Sequence, residues 1–138
     1  MSRPKYVLDT YAIFSFLRRN PGAAQVRDLF YQARRGECEL HVSRINLGEV
    51  AYWVEREEGE IRMQHVLAHL LQLPFSPEDI SWSRILAAAH VKAHHPIACA
   101  DAFAVALAQE MDGAVVTGDP EFERVEELIS VVWLPTKG

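Results

Sequence analysis

The sequence predicts an α/β fold built on a mainly parallel sheet of four or five strands. Three observations predict it. Short β-branched runs alternate along the chain with longer segments of helical apolar spacing, a pattern that requires crossover connections between parallel strands. Two of these runs, "YVLD" and "VVTGD", end on an aspartate, and the carboxyl ends of the strands are where such sheets hold ligands. With 138 residues, 49% hydrophobic and 24% charged, the chain suits a single domain over 1–138 with one real core.

The first strand covers 5–9, "KYVLD". "TYAIFSFLRRN" follows with helical apolar spacing until Asn20-Pro21-Gly22 stops it. In the next helix Val26, Leu29, Phe30 and Ala33 recur at three and four, and Gly36 ends it. "ELHVS" (39–43) is the second strand. Segments 44–58 and 60–73 form a helical hairpin around Gly59, and "PFSPED" is a turn with room for one short strand. Two helices, 78–93 and 97–111, are broken at His95-Pro96. "AVVTGD" is a strand, "PEFERVEEL" a helix and "ISVVWLP" the last strand. No repeat, low-complexity tract or long linker interrupts this series.

Composition excludes several classes. The apolar start is interrupted by Asp9 and lacks a small-residue cleavage site, which argues against a secretory signal. No stretch approaches 18 uncharged apolar residues, so no membrane span is expected. Cys38 and Cys99 belong to no C-x-x-C pair and read as the reduced thiols of a cytoplasmic protein. With 14 basic and 19 acidic side chains the net charge is −5, which argues against a broadly basic surface made for nucleic acid. A nucleic-acid substrate stays open if several of the acids gather around cations.

Four of those acids stand out. Asp9 can cap the helix that follows it, and Asp119 directly ahead of Pro120 is a standard helix start. Glu49, three residues after Asn46, reads as half of a capping box unless the helix begins after Ser43. Taken singly, capping accounts for these three at least as well as catalysis does. Asp101 differs. It lies in "PIACADAFAVALA", a helix apolar on almost every face and therefore buried. An unpaired buried carboxylate costs several kcal/mol, of which a helix start offsets only about 0.3–1 kcal/mol. No Lys or Arg occurs between Lys92 and Arg124 to neutralise it. A hard divalent cation, which takes oxygen ligands and keeps several waters, accounts for all four acids together.

Other candidates are weaker. His94-His95 before Pro96 reads as a solvated turn rather than a zinc site. His65 and His69 lack a nearby acidic third ligand and read as surface, while His41 and His90 are isolated. Neither cysteine belongs to a His–Asp pattern, and the chain has no glycine-rich phosphate loop and no G-x-S-x-G elbow. Tyr52-Trp53 reads as core or subunit interface before it reads as a base-stacking platform. Arg18-Arg19, Arg34-Arg35 and Arg44 read as solvated helix ends.

In "YVLDTYAIFSFL", "SRINLGEVAYWV", "ACADAFAVALA" and "VVTGDPEF", in that order and across about residues 5–134, the sequence resembles a PIN-domain ribonuclease, and within that family the VapC-type toxins of toxin–antitoxin pairs. The resemblance implies a three-layer α/β/α sandwich, Mg²⁺ or Mn²⁺ dependence, homodimers, cleavage of RNA and inhibition by a small VapB-like antitoxin. By it, Asp9, Glu49, Asp101 and Asp119 are the catalytic and metal-site acids, and Thr10 and Thr117 are supporting polar groups. Members often carry a small hydroxyl residue just before the third acid. This chain has Ala98-Cys99-Ala100 there, which leaves the cap of that helix in question. The implied chemistry is in-line displacement with two cations roughly 3.5–4 Å apart on the attacking and leaving oxygens. Asp9, Asp101 and Asp119 would hold the metals, Glu49 would complete the second site or orient the water, and the products would carry 5′-phosphate and 3′-hydroxyl ends.

Three other readings share part of this pattern. A haloacid-dehalogenase-like phosphatase needs a second Asp where Tyr11 stands. A receiver domain needs a late strand-end Lys, but the last strand is followed by Pro135 with only Lys137 beyond. A PIN-like module that binds RNA or protein without turnover is the alternative, and metal-dependent RNA cleavage separates it from the enzyme.

Overall fold

In a computed structural model, which describes residues 3–136, the chain runs β1 (Lys5–Leu8), α1 (Thr10–Leu17), α2 (Ala23–Arg34), β2 (Glu39–Ser43), α3 (Arg44–Glu58), α4 (Glu60–Leu70), β3 (Ser76–Glu78), α5 (Trp82–His94), α6 (Cys99–Met111), β4 (Ala114–Thr117) and β5 (Ser130–Trp133), with a 3-10 segment over Pro120–Val125. The strands pair in parallel in the order β3-β2-β1-β4-β5.

Strand alternation sets the layers. Val7 and Val115 point into a core shared with Val91, Val105, Leu107 and Phe122 of α5, α6 and the 3-10 segment. Their neighbours Leu8 and Val116 point the other way, into a core with Ile13, Phe30, Leu47 and Leu70 of the first four helices. Two apolar faces on one sheet require two helical layers, and the result is the three-layer α/β/α sandwich. Each strand in the middle is buried on both sides, which is why "YVL" and "AVV" read as continuous apolar runs.

Strand order gives the ligand edge. The chain steps from β1 outward to β2 and β3, then returns to place β4 on the opposite side of β1. The order therefore reverses between β1 and β4, and the crevice beyond their carboxyl ends is the expected binding position.

The structure shifts several expected boundaries. The first helix ends at Leu17 rather than continuing to Asn20. The segment 78–93 is not wholly helical: Glu78 closes β3, and Ser81 caps α5 by accepting the Arg84 amide at 3.2 Å. The helix expected from 97 begins at Cys99. Of "PEFERVEEL" only Pro120–Val125 is wound, as a 3-10 segment rather than an α-helix, and the rest is turn. That tighter winding suits a short connection that starts on proline and must return at once to β5.

Candidate metal centre

The register of β1 on β4 pairs Leu8 with Val116, so the next residues out, Asp9 and Thr117, become neighbours at the strand ends. The Thr117 hydroxyl donates to Asp9 Oδ2 at 2.5 Å and accepts the Asp119 amide at 3.0 Å. One buried hydroxyl thus fixes two acids. Asp9 Oδ1 accepts the Ala12 amide at 2.8 Å, and Asp119 Oδ1 accepts the Glu121 amide at 2.9 Å, so both are helix caps as well. Capping and a site role coexist here because a carboxylate has two oxygens, and a cap uses one of them.

Glu49 is no cap. The α3 cap is Ser43, whose hydroxyl accepts the Ile45 amide at 3.2 Å. Glu49 therefore stands inside the helix, on the side that faces Asp9, Asp101 and Asp119 across a shared pocket of about 370 Å³. Thr10 lines the same pocket, and its hydroxyl accepts from Asn46 Nδ2 at 3.0 Å. The Asn46 amide also reaches the Ala100 carbonyl at 3.5 Å. One fully buried side chain thereby ties the residue after Asp9 to the residue before Asp101, one helical turn from Glu49. Sequence reading did not assign this role to Asn46; its only signal was the three-residue spacing to Glu49, which reads equally well as a capping box.

Asp101 sits in the first turn of α6 at 7% exposure. No donor among the described residues reaches its carboxylate. The loop that leads into α6 is pinned by Lys92, which donates to the Ile97 carbonyl at 2.7 Å, and by Arg124, which donates to the Pro96 carbonyl at 2.7 Å. Ala98 occupies the cap position with no side-chain bond, as its missing hydroxyl implied.

Charge is crowded at this edge. Burial pushes the Asp101 carboxyl up to about 7, the charges of Asp119, Glu121 and Glu49 push the same way, and Lys92 opposes them. Burial pushes Asp9 up to about 8, against the hydrogen bonds from Thr117 and the Ala12 amide, with Asp101 and Asp119 adding repulsion. Two carboxyls held so far above their ordinary range are groups that a cation would return to the charged form.

Oxygens of Asp101, Asp119 and Glu121 lie within 4.8 Å of one another. That set is all carboxylate, it is partly buried, and it leaves Asp101 without a donor: it fits a hard divalent cation. Nothing in the sequence singled out Glu121 as a site residue. Pro120 and the 3-10 winding turn it back toward Asp101. Asp9 and Glu49 line the pocket but lie outside this tight group.

Elsewhere, expectation and structure part at two places. His41 is not isolated: its Nδ1 meets Glu78 Oε2 at 2.8 Å and its Nε2 meets Glu39 Oε1 at 3.2 Å, at the β2–β3 edge. Tyr52-Trp53, expected as core or subunit interface, is not core, and its exposure is compatible with an interface. Both are exposed, their rings edge to face at 5.2 Å, and Trp53 lines the acidic pocket together with Arg18. Cys38 and Cys99 are unpaired.

The fold is shared with several solved structures. A VapBC complex from Rickettsia felis bound to a promoter DNA fragment superposes with a TM-score of 0.76 at 17% identity, covering 95% of this chain and 99% of that one. DNA-bound VapBC from Salmonella typhimurium gives 0.73 at 20% identity, covering 94% and 97%. A VapC toxin from Mycobacterium tuberculosis described as cleaving the sarcin–ricin loop gives 0.65 at 16%, covering 86% and 92%. No curated protein matches significantly by sequence. The PIN domain profile matches residues 6–128, a span that contains every strand-end and helix-start acid described above. By that match, over nearly its whole length, the chain belongs to the PIN domain family.

Proposed function

We propose that this protein is a Mg²⁺- or Mn²⁺-dependent endoribonuclease, and that it serves as the toxin of a toxin–antitoxin pair. The observation that carries the nuclease reading is the convergence of Asp9, Glu49, Asp101 and Asp119 on one pocket at the switch point of a parallel sheet. Family membership supports it.

Asp101 and Asp119 are the residues to hold the cation, with Asp9 and Glu49 on the walls beside them and Glu121 within reach. Bound there, a divalent ion would neutralise the acids, polarise the phosphodiester and generate a nucleophile from water. The chain's own contributions are positional and protic. Thr117 holds Asp9 and the Asp119 backbone in one frame. Thr10 and Asn46 fix the α1 and α6 starts relative to α3. Glu49, free of any capping duty, orients the attacking water and takes its proton on the carboxylate.

The toxin reading rests on the fold shared with VapBC complexes, and with it comes a small VapB-like antitoxin as protein partner. We also propose a homodimer. Trp82, Ile85 and Leu86 form an exposed apolar stripe at the start of α5, with Ile80 just ahead of it, and a second copy would cover it. Unpaired Cys38 and Cys99 suit the cytoplasm, and no helix among the described residues is long and apolar enough to cross a membrane.

The test is incubation of the purified protein with total RNA. Cleavage in Mg²⁺ or Mn²⁺ that stops on adding EDTA is the expected result. Unchanged cleavage in EDTA contradicts the metal mechanism, and metal binding with no cleavage of any RNA returns a binding-only module.

A further inference from the structure

The acidic pocket continues as a groove between α1 and α3. Both helices leave the carboxyl ends of adjacent parallel strands, so both run away from the acids in the same direction. Along α3 the lining residues are Glu49, Trp53 and Glu57, spaced four apart on one face. Along α1 they include Tyr11, Phe14 and, at the cap, Arg18. The groove therefore passes from carboxylates, through aromatic rings, to a charged end. Arg18 caps α1 nine residues after Asp9, about 13 Å along the helix at 1.5 Å per residue.

Arg18 is the one cation among the described lining residues, set against five carboxylates. Its guanidinium lies 4.2 Å over the Phe14 ring, and Nη2 donates to Glu57 Oε2 at 2.9 Å. That single bond leaves further donors of the fork free for an anion. Trp53, which lines the same pocket, is 39% exposed, with Arg56 5.7 Å over the ring. An arginine over a ring and a partly exposed indole in one pocket match the two handles of an unpaired nucleotide: a phosphate and a stackable base. The volume of about 370 Å³ lies near the low end for small-molecule pockets, about 300–1,000 Å³.

We infer that the α1–α3 groove is the subsite for an unpaired nucleotide flanking the scissile bond, with Arg18 on its phosphate and Trp53 on its base, and that Glu57 competes with the phosphate for Arg18. The inference rests on the nuclease reading for its substrate, yet it is tested separately.

Binding of a short unpaired oligoribonucleotide is measured by fluorescence anisotropy with Ca²⁺ in place of Mg²⁺, and KM and kcat are measured with Mn²⁺. Arg18→Gln and Trp53→Ala should each weaken binding and raise KM about tenfold while kcat stays within about threefold. Arg18→Gln should also reduce the salt slope of log K by about 0.7. Glu57→Gln should tighten binding several-fold, because it frees Arg18. If the Arg18–Glu57 pair were only structural, both substitutions would break it and act alike. Arg35→Gln, whose partner is Glu37 on the surface, should change nothing. Equal affinity for the same sequence as a duplex, or Arg18→Gln and Glu57→Gln shifting affinity in the same direction, would overturn the subsite and leave the nuclease reading intact. Binding that depends on Arg18 and Trp53 in a protein that cleaves no RNA would leave the subsite standing and remove the nuclease reading.

Discussion

Asn caps a helix about as well as Asp, so Asp119→Asn isolates the charge of Asp119 from its bond to the Glu121 amide. Removing one of several crowded carboxylates relieves repulsion, and the metal-free mutant should melt higher than the metal-free wild type. Mg²⁺ should then stabilise the wild type by mass action and the mutant much less. Paired thermal melts check this; equal Mg²⁺ shifts in both would return Asp119 to capping alone. Protons report on the same crowding. Asp9 and Asp101 rise from 3.8 to about 8 and about 7 on folding, so the folded protein keeps protons that the unfolded chain has released. Their contribution to stability is complete below about pH 4 and is lost as pH rises through 7 and 8. In EDTA the melting temperature should fall between pH 5 and pH 8, and Mg²⁺ should restore it at pH 8 far more than at pH 5, where protons compete for the carboxylates. A flat or rising melting temperature across that window in EDTA would contradict the assignment.

At the scale of elements, α6 carries Asp101, a buried acid with no hydrogen-bond donor among the described residues, on a helix with an uncapped start. Ala98 already has the extended backbone of a cap residue, φ −64° and ψ 155°, and it is exposed. Ala98→Ser should therefore supply the missing acceptor and stabilise the protein by about 1 kcal/mol, a rise of roughly 3–4 °C for a domain of 138 residues. Differential scanning calorimetry checks it, and no rise would mean that the first-turn amides already have partners. The same contrast between local and distant partners explains what the sequence revealed. Helices with sustained apolar spacing, such as α2 and α3, and the doubly buried β1 and β4 were legible because their patterns are local. β3 was only a possibility, since Ser-Pro-Glu has no apolar alternation and lies at the sheet edge, where Pro is tolerated. Asp101 was legible because a carboxylate in an alanine-rich helix has to be compensated. The approach of Glu121 to Asp101 was not legible because it depends on the 3-10 winding, and His41 was misread because its partner Glu78 lies 37 residues away. Asn46 was not assigned its tie to Ala100 because that partner is 54 residues distant.

Over the whole molecule, a net charge of −5 and a carboxylate-lined pocket leave little to attract RNA until cations enter. Substrate binding and metal binding should therefore be coupled. Assembly is a separate matter. Trp82 is 71% exposed at the head of the apolar stripe on α5, far from the acids in sequence and outside the pocket lining. Light scattering should give a dimer mass at micromolar concentration, and Trp82→Glu should give a monomer that still binds Mn²⁺. A monomeric wild type would remove the proposed interface without touching the site. The most direct test of the central claim, that converging carboxylates hold a cation for RNA cleavage, is the activity of Asp101→Asn beside the wild type. Asp101 has no capping bond to lose, so the fold should persist and the metal-free melting temperature should rise. Cleavage of single-stranded RNA in Mn²⁺ should nevertheless fall by about a hundredfold or more. Asp101→Asn protein that melts as a folded domain and cleaves RNA at the wild-type rate would contradict the account.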